Sequence, residues 1–285
     1  MSVKGDLHCH TKLSDGSEGI EDVIALAKRI GLDFISLTDH DTMASFSRSR
    51  ILAERYGINV IPGVEFSAYD EMRNRKVHIL CYLPLRPDRL EGLCIRANES
   101  RKKAGNEMAK LVMKKYPITA ESITKYSSSS NCIYKQHIMR ALFDAGYTTS
   151  IYGELFQELF NRETGSCLVS YRYPNVYEVL SAIHEAGGVT VMAHPTVYHS
   201  MDLLRELVDQ NLLDGIEVYH PRNTEEDRAV CLALAEEKGL LVTGGSDFHG
   251  MYSSTNRSHI GSEVVHRNAL DQLFKISNRY KESTR

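Results

Sequence analysis

The run Val3-Lys4-Gly5-Asp6-Leu7-His8-Cys9-His10 is followed by Thr11-Lys12-Leu13-Ser14-Asp15-Gly16, and it decides how the rest of the chain reads. Residues two apart on a strand share a face, so His8 and His10 reach the same side while Cys9 points the other way. A strand ending in two imidazoles, with Asp15-Gly16 in the loop just beyond, offers nitrogen and oxygen donors at one end of a sheet. Outward from it, strands and helices alternate. Ser17 as N-cap and Gly31 as C′ residue bracket a helix through Ile30. Asp33 to Thr38 reads as a strand, residues 43–56 as a helix, and Asn59 to Ser67 and Val77 to Leu83 as further strands. Past Pro84 the rhythm becomes helical to about Asn161, with a long charged helix from Leu90 to Tyr116 and a polar loop at Ser127–Asn131. Alternation resumes after Tyr171, with strands at Val189–Ala193, Gly215–Tyr219 and Leu240–Thr243 and helices between them.

Strands alternating with helices of this length imply parallel βαβ units. No Gly-x-Gly-x-x-Gly follows the first strand, so a dinucleotide fold loses its best support. About seven strands with a helical interruption predict an α/β barrel formed by residues 1–84 and 168–285, with residues 85–167 as a helical insertion. In such a barrel the reactive groups belong at the C-terminal ends of the strands.

Composition narrows the function. The 285 residues are 42% hydrophobic and 25% charged, with a net charge of −3 when histidine is neutral. This is an ordinary globular balance with no basic field for gripping a long nucleic acid. No apolar run is long enough to span a membrane, and the N-terminus lacks the apolar stretch of a signal peptide. The six cysteines show no CxxC spacing, so neither a zinc ribbon nor a disulfide framework is expected, and a cytoplasmic setting is the reading. Oligomeric state is not legible. Twelve histidines stand out, because histidine is the commonest metal ligand and proton shuttle near neutral pH.

Those histidines and their acidic neighbours fall where strands end. The second strand ends in Thr38-Asp39-His40-Asp41, the third carries Gly63-Val64-Glu65, and the fourth opens Lys76-Val77-His78. After the insertion come Met192-Ala193-His194-Pro195 and Gly244-Gly245-Ser246-Asp247-Phe248-His249, the latter another pair of ligand types two apart. A lone His-x-His is weak evidence, since two polar side chains on a strand are common. Repetition at nearly every strand end is not readily accidental, and it predicts a metal centre. A nitrogen and carboxylate shell without thiolate suits manganese, iron or zinc.

In their order along the chain, Asp6-Leu7-His8-Cys9-His10, Asp15-Gly16, Thr38-Asp39-His40-Asp41, Gly63-Val64-Glu65, Ala193-His194-Pro195 and Ser246-Asp247-Phe248-His249 resemble the PHP (polymerase and histidinol phosphatase) family. The likeness is to its insert-bearing small phosphoesterases, which include nucleoside 3′,5′-bisphosphate and AMP phosphatases. The resemblance implies a distorted seven-stranded (β/α) barrel holding three divalent transition-metal ions, with Mn²⁺ the first expectation and Fe²⁺ or Zn²⁺ the alternatives. It places His8, His10, Glu65 and Asp247 on the first metal, Glu65, His78 and His194 on the second, and Asp15, His40 and His249 on the third. Catalysis would rest on Glu65, His194 and Asp247, with His220, at the end of Gly215–Tyr219, as a proton donor or substrate contact. The similar phosphatases carry a basic and histidine motif in the insertion, which points to Lys135, His137 and Arg140 as substrate-binding residues. Positions i, i+2 and i+5 cannot share one helix face, so at most two would touch phosphate. Arg172 is a further anion-binding candidate, and Asp39 is read as a support behind the metal ligands.

The expected activity is hydrolysis of a small phosphate ester, a nucleotide or sugar phosphate, by a metal-bridging hydroxide attacking phosphorus. A cyclic phosphodiester of such a molecule and short RNA ends are the alternatives within that chemistry. A non-catalytic metal-binding protein and a metal-dependent amidohydrolase are the rivals outside it.

Overall fold

The computed structural model describes residues 3–283. Its strands are β1 (Lys4–Cys9), β2 (Phe34–Leu37), β3 (Asn59–Val60), β4 (Gly63–Asp70), β5 (Arg75–Tyr82), β6 (Val189–Met192), β7 (Gly215–Tyr219), β8 (Leu241–Gly244) and β9 (Val265–His266). They form two sheets, ordered β3-β2-β1-β9 and β4-β5-β6-β7-β8. Single bridges link the two: His40 with Glu65 between the ends of β2 and β4, and Cys9 with Phe248 between β1 and the segment after β8. The ends that carry the histidines are therefore drawn together.

The structure departs from the expected array of about seven parallel strands. Asn59 to Ser67 is not one strand, because Pro62, which has no N–H to extend a ladder, separates β3 from β4. β4 pairs antiparallel with β5, and β5 antiparallel with β6. Only residues 71–74 join β4 to β5, whereas a parallel pairing needs a crossover of about a dozen residues or more. This reversal explains why His78 lies near the start of its strand: it pairs with Ser67, so the first half of β5 runs beside the last half of β4.

Helices α1 (Ile20–Arg29) and α2 (Ser45–Tyr56) cover β1 and β2 through Ile24, Ala27 and Leu52. Helices α3 (Glu91–Lys115), α4 (Ala120–Ser127), α5 (Lys135–Asp144) and α6 (Glu154–Phe160) make up most of the expected insertion. Along α3 the buried positions Leu93, Ala97, Arg101, Ala104, Met108 and Val112 recur every three or four residues, giving one inward stripe. Met108 and Val112 pack with Ile138, Leu142, Leu159 and Phe160 in a cluster that Tyr252, from the segment after β8, also joins. Helices α7 (Val176–Glu185), α8 (Met201–Asp209) and α9 (Glu225–Lys238) cover the five-stranded sheet, and α10 (Arg267–Ser283) seats Leu270, Leu273 and Ile276 against Leu7, Leu80 and Val191. Among the described residues all six cysteines are unpaired and buried, and no helix is long and apolar enough to cross a membrane.

Candidate metal centre

Glu65, 1% exposed on β4, is the hub of the site. Its Oε2 stands 3.4 Å from His8 Nε2, 3.2 Å from His10 Nε2 and 3.1 Å from His40 Nδ1. Its Oε1 stands 2.6 Å from His78 Nδ1 and 3.0 Å from His194 Nε2. On the far side of the β1 pair, Asp247 Oδ1 lies 3.5 Å from His8 Nε2 and 3.4 Å from His10 Nε2, and those two nitrogens are 3.1 Å apart. Beyond them, Asp15 Oδ1 is 3.2 Å from His249 Nε2 and 3.7 Å from His10 Nδ1, and its Oδ2 is 3.9 Å from His40 Nε2. All nine residues expected from the sequence to be ligands thus converge.

The spacing and chemistry of these donors fit divalent cations. Bonds of about 2.0–2.1 Å to a four-coordinate ion hold neighbouring donors about 3.3–3.4 Å apart, close to the separations among His8, His10, Glu65 and Asp247. Asp15 Oδ1 and His40 Nδ1, both turned into the cluster, are buried with no hydrogen-bond partner, a costly condition that a bound cation relieves. The field points the same way. Burial alone depresses the His10 imidazole, yet the Asp247 and Glu65 carboxylates outweigh it and raise it to about 10, so the site draws in positive charge. Burial pushes His78 down to about 3, keeping its ring neutral and able to ligate.

The local backbone is built around this convergence. Asp41, His194 and Asp247 have positive φ (51°, 24° and 48°), a strained choice for non-glycine residues that clusters at functional sites. A Cβ on Gly245 would stand 2.4 Å from both the Cβ and the backbone nitrogen of His8, so only glycine lets the end of β8 approach β1 this closely. Asp39 accepts from the Thr11 N–H (2.7 Å), the Thr11 hydroxyl (2.8 Å) and the Ser14 hydroxyl (2.6 Å), which pins the loop that carries Asp15.

Two orienting residues escaped the sequence reading. Glu217, fully buried on β7, accepts from His8 Nδ1–H (2.8 Å) and from the His194 backbone N–H (2.9 Å). It thereby leaves the Nε2 lone pair of His8 turned towards Glu65 and Asp247. Gln136 on α5 donates to Asp15 Oδ2 (3.1 Å). Glu217 lies two residues inside its strand end and Gln136 in an unremarkable helical sequence; the alternation of Glu217 with Tyr219 was the available signal for the first. Replacing Glu217 by glutamine is expected to weaken metal retention by about 10- to 100-fold, with the fold intact. Chelator competition followed by elemental analysis reads this directly, and unchanged retention would remove the orienting role.

His220 makes its contact with Asp247. The Arg222 N–H donates to its Nδ1 (3.2 Å), so its proton sits on Nε2 and is donated to Asp247 Oδ2 at 3.2 Å. Of the three insertion residues, Lys135 lines the cavity of about 210 Å³ beside Asp15 and His40, whereas His137 and Arg140 do not. Two positions along a helix turn a side chain by about 200°, and His137 is rotated into the core. There its Nδ1 accepts from the N–H of Tyr134, the residue before α5, and burial pushes its pKa down to about 4. Arg140 is spent on Asp144 Oδ1 at 3.0 Å. Arg172 lines an outer cleft and does not touch the cluster.

Residues 6–188 match the PHP domain. The chain belongs to the PHP family. Among PHP relatives it is 38% identical over 262 residues to a phosphoribosyl 1,2-cyclic phosphate 1,2-diphosphodiesterase from Eggerthella lenta, covering 91% of this chain and 98% of that one. It is 29% identical to the 5′-3′ exoribonuclease Rnm of Escherichia coli, covering 86% of this chain and 84% of the relative. A crystal structure from Bifidobacterium adolescentis, described as that of a metal-dependent phosphoesterase, superposes with a TM-score of 0.86 at 26% identity, covering 95% of this chain and 96% of that one.

Proposed function

We propose that this PHP phosphoesterase hydrolyses a small phosphorylated sugar, with the cyclic phosphate of a five-carbon sugar phosphate as its first substrate class, and that three divalent metal ions serve it. The observation that carries the reading is the shared carboxylate. Glu65 reaches five imidazoles, which supports a polynuclear centre of the kind that handles phosphoryl oxygens. Size supports a small substrate, since the cavity against Asp15 and His40 is about 210 Å³, and so does the relative whose name specifies a phosphoribosyl cyclic phosphate.

His8, His10, Glu65 and Asp247, then Glu65, His78 and His194, then Asp15, His40 and His249 would hold the ions. Bound there, divalent ions polarise phosphoryl oxygens and acidify a water nucleophile. The chain's own groups do the rest. Glu217 and Asp39 hold His8 and the Asp15 loop in place. His220 keeps a proton on Nε2 against Asp247, and burial lowers its pKa, so the ring stays neutral near pH 7. Tyr134 stacks on His40, ring centroids 6.3 Å apart, and together with Lys135 walls the pocket from the insertion side. Residues 85–167 act in this reading as the lid and substrate wall.

The test is phosphate release and ring opening by metal-loaded protein across cyclic phosphates, phosphomonoesters and short 5′-phosphorylated RNA, with His194→Ala alongside. We expect turnover of a five-carbon sugar cyclic phosphate that is lost on chelation and in the variant. Turnover confined to RNA would replace the small-molecule reading.

A further inference from the structure

The metal cavity opens outward between two lysines. Lys76 and Lys135, with Tyr171 and Tyr173, line both the inner cavity beside Asp15 and His40 and an outer cleft of about 730 Å³. Lys76 lies two residues before His78 on β5, so both side chains project from the same face of the strand. Its Nζ sits 5.2 Å from the Tyr173 ring centroid and 5.5 Å from that of Tyr198, and Tyr198 in turn packs its ring against His78 and His194. No carboxylate among the described residues comes within ion-pairing distance of Lys76 or Lys135. Arg75, on the same cleft, is instead held by Asp202 at 3.0 Å, and among the described residues Glu71 is the only acidic one in the lining.

Lys76 is half-buried among aromatic rings and bonded to the Tyr198 side chain rather than to a carboxylate, so next to a phosphoester site its charge has no counter-ion. We infer that Lys76, framed by Tyr173 and Tyr198 and faced by Lys135, forms a subsite for an anionic group of the substrate distal to the scissile phosphate, a second phosphate. The inference rests on the proposed function and adds to it. The enzyme would select doubly phosphorylated substrates, and Lys76 would be a specificity residue rather than a catalytic one. The same chemistry has two sources, the terminal phosphate of a sugar phosphate and the next phosphodiester of an oligonucleotide; the small inner cavity favours the first.

Lys76→Met and Lys76→Arg test it. With a pentose 1,2-cyclic phosphate bearing a 5-phosphate and the same compound with a 5-hydroxyl, Lys76→Met should raise KM for the first by about 10- to 100-fold, as expected for loss of a hydrogen bond to a charged group. The 5-hydroxyl substrate should change by less than about twofold, and Lys76→Arg should recover most of the loss. Calorimetric binding of ribose 5-phosphate to the metal-loaded protein gives a second readout that does not need turnover. It should weaken by a similar factor in Lys76→Met, while free ribose binds neither protein. Absence of cyclic phosphate turnover together with lysine-dependent ribose 5-phosphate binding would refute the proposed function and keep the subsite. Equal losses on both substrates, or ribose 5-phosphate binding that ignores Lys76, would overturn the subsite. Loss confined to 5′-phosphorylated dinucleotides would assign the cation to an RNA backbone and overturn the sugar phosphate assignment.

Discussion

Glu65→Gln is expected to abolish hydrolysis, with a loss of roughly 10⁴-fold or more in kcat, on the scale seen when one member of an interdependent catalytic unit is removed. Both carboxylate oxygens are engaged, Oε2 with His8, His10 and His40 and Oε1 with His78 and His194. An amide nitrogen in place of either oxygen would present hydrogens to imidazole nitrogens that need a lone-pair neighbour or a cation. It would also remove one negative charge from a site with three carboxylates among its ligand types, Asp15, Glu65 and Asp247. Metal content measured by elemental analysis should fall by at least one ion per chain, because the lost charge is shared between groups. Wild-type metal content with abolished activity would give Glu65 a role other than ligation. Retained activity would refute the polynuclear reading altogether. Glu65 is 1% exposed, so circular dichroism and thermal unfolding should accompany the assay to separate lost chemistry from lost structure.

How much of this was legible follows from what the chain writes locally. Alternation on β1, which puts His8 and His10 on one face, is a property of two-residue periodicity and needs no tertiary information. The ligand types at strand ends were legible for the same reason, and the described structure brings all nine together. The direction of β5 was not legible as such. The short connection at residues 71–74 held the clue, but a reading organised around strand–helix alternation passed over it. Glu217 was overlooked because a glutamate inside a strand is indistinguishable by pattern from one on a solvent face until β1 is known to lie opposite it. Lys76 was visible as part of the alternation with His78, yet its lack of an acidic partner is a three-dimensional fact. Arg140 illustrates the converse: its chemistry suits phosphate, and a neighbour four residues on, Asp144, takes it.

Arg101 shows how two cations on one cavity differ in what they do, and its replacement carries the largest expected effect on stability. It stands on the inward stripe of α3, 3% exposed, and its Nη2 donates to Asp41 Oδ2 and to the Ser67 hydroxyl at 2.8 Å. The guanidinium lies between the rings of Tyr134 and Tyr171, 5.1 and 5.6 Å from their centroids. Asp41 is itself fully buried. Its N–H donates to the Glu65 carbonyl (3.0 Å), its Oδ1 accepts from the Ser67 N–H (3.0 Å), and its carbonyl accepts from Asn98 Nδ2 (2.7 Å). Arg101→Met leaves that carboxylate buried without its cation, which costs about 3–5 kcal/mol. At about 2–4 °C per kcal/mol for a chain approaching this size, Tm should fall by roughly 6 °C or more. Because Asp41 is bonded to the backbone of Glu65, the carboxylate shared by five imidazoles, activity should fall with it. Asp41→Asn combined with Arg101→Met removes both charges, and unfolding of the four proteins in urea should then show a favourable coupling of about 1–3 kcal/mol. A loss below about 1 kcal/mol in Arg101→Met, or strictly additive effects in the pair, would mean that the insertion is not fastened to the metal centre through this ion pair. Lys76 has no such carboxylate, so its replacement should leave Tm nearly unchanged. That contrast separates a cation committed to holding the fold from one left free for substrate.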